Sequence, residues 1–395
     1  MYQVNEIMGD RYRIFKRVIG GMGIVYFVKD LDSDKKYAAK TYRPDLIENR
    51  DKFIQELIFL SELGEHENCL SVRFIDIIDD QPFLFSDYIP NSDKGNSLRA
   101  RIHLYEYNFS QAIQFAYQIA CGMEFLNSRL EVAHLDLKPE NILITEQDII
   151  KICDFGLARF INPLQINPAG EAWGTQLYKS PEHLDHKIVD TRSDVFSYGI
   201  ILYEMLLGHY PFKIDLDGSR DTITKALKKL YEEKNIGHDI YYKGIPEFSK
   251  ERIHNYPIVS GIKKSKLIEL GILLAACINT YSGDRYYRFK DIVEAFEFGF
   301  RGYLGRKKSK YEKSRDEFQI GMDLQKIGEH SKALQHFNTV LKSTRNNAEV
   351  WYRAAISMAE LGLHDTSVDF ILEALRLDPA NELYRTILNR YKDRE

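Results

Sequence analysis

Two short stretches carry residue types that could handle a phosphate and a hard metal ion. The first, H-L-D-L-K-P-E-N (134–141), supplies Asp136, Lys138 and Asn141; the second, D-F-G (154–156), supplies Asp154. Asn141 lies five positions after Asp136, and Asp154 thirteen positions after Asn141. Between them lie two apolar runs of strand character, Ile142 to Ile144 and Ile149 to Ile152, and a hairpin built from these runs returns Asp154 to the side of Asn141. Two carboxylates, an amide and an ammonium then meet at one mouth. Phosphoryl transfer asks for such a set, because the protein has only to aim a hydroxyl at a γ-phosphoryl and neutralise the charge that develops. Asp136 suits the hydroxyl proton and Lys138 suits the γ-phosphate. Asn141 and Asp154 offer the hard oxygen ligands that Mg²⁺ takes.

The elements that must hold this set can be read around it. Residues 11–40 alternate in the manner of three strands, with a G-G-M-G turn between the first two. Gly20, Gly21 and Gly23 in that turn would let backbone N–H groups approach phosphates without a Cβ in the way. Residues 51–63 place Phe53, Leu57, Leu60 and Leu63 on one helical stripe. The segment P-F-L-F-S-D-Y-I-P (82–90) reads as a strand running into a Pro/Asn/Ser/Gly-rich connection. Phe109, Ile113, Ala116, Ala120, Met123 and Leu126 form a core-facing helical stripe that leads into 134–141. Residues 193–208 are apolar on nearly all faces, which marks a helix through the middle of a lobe, ended by Pro211-Phe212.

Taken with their spacings, H-L-D-L-K-P-E-N and D-F-G resemble the motifs of Ser/Thr protein kinases of the eukaryotic-like type common in bacteria, over roughly residues 10 to 300. The resemblance implies an α+β, bilobal kinase fold with a β-rich N-lobe and a larger helical C-lobe, ATP with Mg²⁺ as cofactors, and a protein substrate. It gives Asp136 and Lys138 catalytic roles and makes Asn141 and Asp154 metal ligands. Lys40, at the end of Y-A-A-K, would pair the α- and β-phosphates, and Glu56 would clamp Lys40. Asp87 and Ile89 would bond adenine through backbone groups, Val25, Ala38 and Leu143 would sandwich it, and Ser86 would guard the pocket behind. Asp194 would hydrogen-bond the catalytic-loop backbone, and Glu182 of S-P-E would pair with Arg285. The chain departs from the family in two places. Its glycine turn is one residue short, with Val18 or Ile19 where a first glycine stands, and Leu135 occupies the position of the usual arginine. No Ser, Thr or Tyr occurs from Leu157 to Gly174. That loop is therefore expected to order by packing of Leu157, Phe160, Ile161, Leu164, Ile166 and Trp173 instead of through a phosphate.

Composition bounds the rest. At 395 residues, with 44% hydrophobic and 28% charged residues, the chain is an ordinary globular protein of two to three domains. A net charge of -4 argues against nucleic acid as partner. Cys69, Cys121, Cys153 and Cys277 are scattered without a C-x-x-C pair, which fits a reducing, cytoplasmic setting. The first ten residues lack a signal pattern, and Gly199–Leu207 and Leu267–Cys277 are too short to cross a bilayer and read as buried helices. Residues 213–266 are longer than the family usually has there, mix Lys, Tyr and Glu, and read as a solvated insertion, with a docking surface as the alternative.

Beyond residue 300 the character changes. Residues 301–315 hold seven Lys or Arg against one acid and read as a linker. A 34-residue period follows, aligning Gly328 with Gly362, Ala333 with Ser367, Phe337 with Ile371 and Leu341 with Leu375. This is similar to the tetratricopeptide repeat. The organisation expected is a kinase domain over 8–300 (lobes dividing at about 88), a basic linker over 301–313, two repeats over 314–381 and a capping helix over 382–395. Two repeats fall short of a self-sufficient stack, so this domain should dock on the kinase or on a peptide or protein ligand. The alternatives are a pseudokinase-like scaffold signalling through its repeats, or a small-molecule phosphotransferase.

Overall fold

The computed structural model describes residues 1–20, 23–43, 48–104, 106–130, 132–155, 159–160, 175–212, 214, 219–248, 253–304, 312–313 and 316–392. The chain divides into two compact units, one of residues 1–65, 71–88 and 312–395, the other of 66–70 and 89–311. The first unit holds β1 (Ile7–Met8), β2 (Tyr12–Ile19), β3 (Gly23–Asp30), β4 (Lys36–Tyr42), α1 (Glu48–Leu63), the two-residue β5 (Glu65–His66) at its border, β6 (Val72–Ile78) and β7 (Gln81–Asp87). Six of these strands make one antiparallel sheet in the order β1-β2-β3-β4-β7-β6. Alternation in β3 sends Ile24, Tyr26 and Val28 into a core with Ile14, Ala39, Phe83 and Phe85, and leaves Val25 on the other, half-buried face. Ala38 and Lys40 lie on that same side, since Lys40 is the partner of Val25 and Ala38 that of Phe27.

The second unit is mostly helical: α2 (Leu98–Leu104), α3 (Phe109–Leu130), α4 (Pro181–Leu184), α5 (Thr191–Leu207), α6 (Arg220–Glu233), α7 (Ile236–Lys243), α8 (Lys264–Cys277) and α9 (Phe289–Gly299). Its strands are β8 (Val132–Ala133), β9 (Ile142–Ile144), β10 (Ile150–Ile152) and β11 (Arg159–Phe160). The expected stripe of α3 is fully buried. Every residue of α5 from Ser193 to Leu207 is buried.

Some expectations needed correction. Helix α5 ends at Gly208, in the left-handed region (φ 76°) with its N–H on the Glu204 carbonyl, and Pro211-Phe212 lies beyond the stop. Helix α8 exposes Ile268 and Ile272, so only one face of it is buried. The long 213–266 segment is not a solvated insertion: Ile223, Leu227 and Tyr231 of α6 and Ile236 and Ile240 of α7 are buried. A Cβ on Gly237 would come within 2.5 Å of the Ala275 carbonyl, which measures how closely α7 meets α8.

The C-terminal residues of the first unit form the short β12 (Glu312–Lys313) and five helices, α10 (Glu317–Lys326), α11 (His330–Ser343), α12 (Ala348–Glu360), α13 (His364–Leu377) and α14 (Glu382–Lys392). The 34-residue period has a physical counterpart here. Gly328 and Gly362 both take positive φ (82° and 79°), and Ala333, Ser367, Phe337 and Ile371 are all fully buried. No helix among the described residues is long and apolar enough to cross a membrane.

Candidate active site

The geometry of the 134–141 loop begins with the hairpin. β9 and β10 pair in the register Ile142↔Ile152, and the Cys153 N–H reaches the Asn141 carbonyl at 2.9 Å, so Asp154 emerges beside Asn141. The hairpin is anchored from behind by residues 66–70. The Leu70 N–H donates to the Ile152 carbonyl (2.8 Å), and the Ile152 N–H donates to that of Asn68 (2.9 Å).

Within the loop, Asp136, Lys138 and Asn141 are brought together. Lys138 Nζ lies 2.7 Å from Asp136 Oδ2, and Asn141 Nδ2 donates to the same oxygen at 3.0 Å and to the Asp136 carbonyl at 2.9 Å. With Nδ2 engaged by these two acceptors, the Asn141 oxygen is the end of the amide left for a cation. The donor set of Asn141 Oδ1 and the Asp154 carboxylate is all hard oxygen, which fits Mg²⁺.

Two residues hold this loop in shape. Asp194 is fully buried and accepts the N–H groups of His134 (2.7 Å) and Leu135 (2.8 Å), one on each oxygen. Burial pushes its carboxyl up to about 7 while the two backbone bonds pull the other way. N-capping of α5 falls to Asp190, whose side chain accepts from the Arg192 N–H, so Asp194 has the scaffolding role expected of it. Leu135, held by this bond, takes φ 63°, a conformation costly for a residue with a Cβ.

His134 is the residue that sequence reasoning missed. Its Nδ1 accepts the Asp136 N–H at 3.3 Å and its Nε2 faces the Cys153 carbonyl at 3.2 Å, so one neutral ring ties the catalytic loop to the residue before Asp154. Burial pushes the imidazole down to about 4. Phe155 packs its ring 5.3 Å from that of His134. The signal was present in the sequence as a histidine two residues before Asp136. A second missed group is Arg99, which binds Glu140 at 2.7 Å, Glu204 at 2.5 Å and the Tyr178 hydroxyl. Glu204, an acid in the apolar C-terminal half of α5, was the clue to it.

In the first unit, Lys40 Nζ meets Glu56 Oε1 at 2.7 Å, with Glu56 almost fully buried. Phe53, Leu57, Leu60 and Leu63 of the same helix are buried as the stripe required. Val25 and Ala38 lie half buried on the Lys40 side of the sheet, and Ser86 is buried opposite Ala38. The Asp87 side chain is taken by Arg73. A Cβ at Gly23 would lie 2.7 Å from the Thr41 carbonyl, so strand packing alone demands glycine there. Gly20 closes the hairpin through its N–H to the Gly23 carbonyl (2.8 Å), and Gly21 lies outside the described residues. In the second unit, Leu143 is half buried opposite Lys151, and the Ile89 carbonyl accepts from Asn96 Nδ2 at 2.9 Å. The side chains of Leu157, Phe160, Ile161, Leu164, Ile166 and Trp173 lie outside the described residues.

Farther along, Glu182 meets Arg285 at 2.7 Å with the guanidinium side chain fully buried. Burial alone would raise the Glu182 carboxyl, but Arg285 outweighs it and holds the group at about 2.

Comparison with known sequences follows the same lines. The family described as protein kinase domain matches residues 16–266. A probable serine/threonine-protein kinase of Clostridium acetobutylicum is 25% identical over 333 residues, which are 83% of this chain and 44% of that protein. PknB of Lactococcus lactis is 29% identical over 238 residues (59% of this chain, 36% of that protein). PrkC of Bacillus subtilis is 29% identical over 235 residues (58% and 35%). The chain spans less than half the length of each of these relatives.

Proposed function

The chain belongs to the protein kinase family, and from that premise we propose that it transfers the γ-phosphate of ATP to Ser or Thr hydroxyls of a protein substrate. The observation that carries this reading is the hydrogen-bonded set of Asp136, Lys138 and Asn141, with Asp154 returned beside it. Lys138 and Asn141 both grip Oδ2 of Asp136 and fix the plane of its carboxylate, which takes the proton of the substrate hydroxyl. Lys138 also screens the γ-phosphate. Lys40, steadied by Glu56, takes the α- and β-phosphates. Asn141 and Asp154 hold Mg²⁺, which when bound neutralises charge on the phosphates. Val25, Ala38 and Leu143 flank the adenine. Asp87 and Ile89 offer it backbone groups, the N–H in the case of Ile89, whose carbonyl is engaged by Asn96. Gly20, Gly21 and Gly23 line the phosphates.

The kinase domain runs over 8–300, followed by a basic linker (301–313), two tetratricopeptide-like repeats (314–381) and a cap (382–395). The scattered cysteines support a cytoplasmic setting. Burial of Ile58 of α1 among the repeat helices supports a brace on the N-terminal sheet over a free ligand groove.

The test is Asp136→Asn in the full chain, with phosphate incorporation into the protein itself and into casein followed by mass spectrometry. Loss of roughly a thousandfold or more in kcat, with ATP still bound, is expected when the general base and its aim are both removed. A variant as active as the parent would refute the assignment. Phosphate found on a small molecule and on no protein would favour the small-molecule reading.

A further inference from the structure

Helix α1 has two working faces. Glu56 points to Lys40 on the same side as Phe53, Leu57 and Leu60. Two residues on, about 200° around the helix, Ile58 is buried in a different company. It joins Ile320, Leu324, Ala333, Phe337, Leu341, Val350 and Ala354, with Ile54, one turn earlier, packed against the same cluster. The outer face of the helix that carries Glu56 is thus covered by residues more than 250 positions away, and Lys332 of α11 adds an ion pair to Glu62 at 3.4 Å.

The same α10 is tied to the sheet. β6 is its edge strand, with backbone groups that need partners. At Ile75 they find them on α10: the N–H donates to Asp323 Oδ1 (3.3 Å), and the carbonyl accepts from Lys326 Nζ (2.9 Å). Asp323 and Lys326 are three residues apart and so share one face of α10. One helix therefore grips both the sheet that holds Lys40 and the helix that holds Glu56.

We propose that α10 is a positioning element for phosphoryl transfer, its Leu324, Asp323 and Lys326 fixing α1 against the sheet so that Glu56 stays within reach of Lys40. The proposal rests on the kinase reading above. It assigns the C-terminal helices a part in catalysis without contact to the reacting atoms.

The experiment compares the full-length parent with Leu324→Ala, Leu324→Met and Lys326→Ala, measuring kinetics on casein and amide hydrogen exchange. Leu324→Ala should lower kcat at least about tenfold with the KM for casein unchanged, because only the clamp on the phosphates is loosened. Amides of 51–63 should exchange faster while those of β2–β4 keep their protection. Leu324→Met, which keeps the volume, should restore both. Lys326→Ala, at a half-exposed position, should lower kcat by about threefold without endangering the fold. If Leu324→Ala releases the C-terminal helices altogether, α1 loses its cover and kcat should fall further. A kcat within twofold of the parent in Leu324→Ala, or a loss of kcat with 51–63 exchanging as before, would overturn the proposal. Exchange needs no turnover. An inactive parent would therefore count against the kinase reading alone, while unchanged α1 exchange in Leu324→Ala would still sink the positioning role.

Discussion

At the scale of single residues, the site depends on groups whose charge state is set by burial. His134 has no exposed surface and is neutral, with Nδ1 accepting from the loop and Nε2 turned to Cys153. Its ring titrates near 4 in the folded protein and near the ordinary 6.5 once unfolded. Between those values the unfolded chain binds the extra proton, so stability rises with pH through this window. The contribution is complete above about 6.5 and is lost as pH falls toward 4. Urea unfolding at pH 7.5 and pH 5 should show the parent losing about 2 kcal/mol more than a His134→Phe variant over that interval. Equal losses in the two proteins would mean that the histidine titrates normally. Legibility at this scale follows chain distance. Asp136, Lys138, Asn141 and Asp154 lie close in sequence, and the Ile142↔Ile152 pairing needed only two apolar runs to be foreseen. Long-range partners distinguish Glu56 from the acids near it in sequence: Glu62 faces Lys332, Glu65 faces Arg73, and Glu56 meets Lys40.

At the scale of elements, the apolar helices were legible because burial leaves a periodic trace, as in α3 and α5. What joins them was less so, since an ion pair 103 residues apart leaves no pattern. Arg285 and Glu182 were paired by resemblance alone, and the reason for their burial emerges only in the fold. The guanidinium also donates to the carbonyls of Arg192, Asn279 and Thr280 and lies 4.9 Å over the Phe196 ring. It thereby stitches α4 to α5 and to the turn before α9. Glu182→Gln leaves that buried charge without its carboxylate and should cost about 3 to 5 kcal/mol at pH 7. Because the carboxyl is held at about 2, this stability is present above its unfolded value and drains away as pH falls toward 2. Denaturation midpoints of parent and variant should therefore converge in acid. Curves separated by the same amount at pH 7 and pH 3 would place the loss elsewhere. The helices α6 and α7 show the opposite failure: their Lys, Tyr and Glu content suggested solvent, and the small set of apolar residues on one face decided the matter.

At the scale of the whole molecule, the question is what keeps the site assembled when the stretch 157–174 offers no Ser, Thr or Tyr to phosphorylate. Leu135 stands where an arginine would receive a phosphate, and it is buried in a small apolar cluster with Ala133 and Val189. Its backbone is held by Asp194 in a left-handed conformation, so the position serves loop shape and offers no charge. The stretch from Leu157 to Gly174 has no hydroxyl to modify. An arginine–phosphate pair is one source of order in a kinase, and the cover that α10 gives α1 is a source that needs no modification. The protein treated exhaustively with phosphatase should accordingly keep its kcat within about twofold, since no new charge pair is required to order the segment. The measurement is initial velocity on casein before and after treatment, with phosphopeptide mapping of both samples. A tenfold fall in rate that tracks a phosphate on Thr175, the first hydroxyl after that stretch, would show that the segment is switched by charge after all.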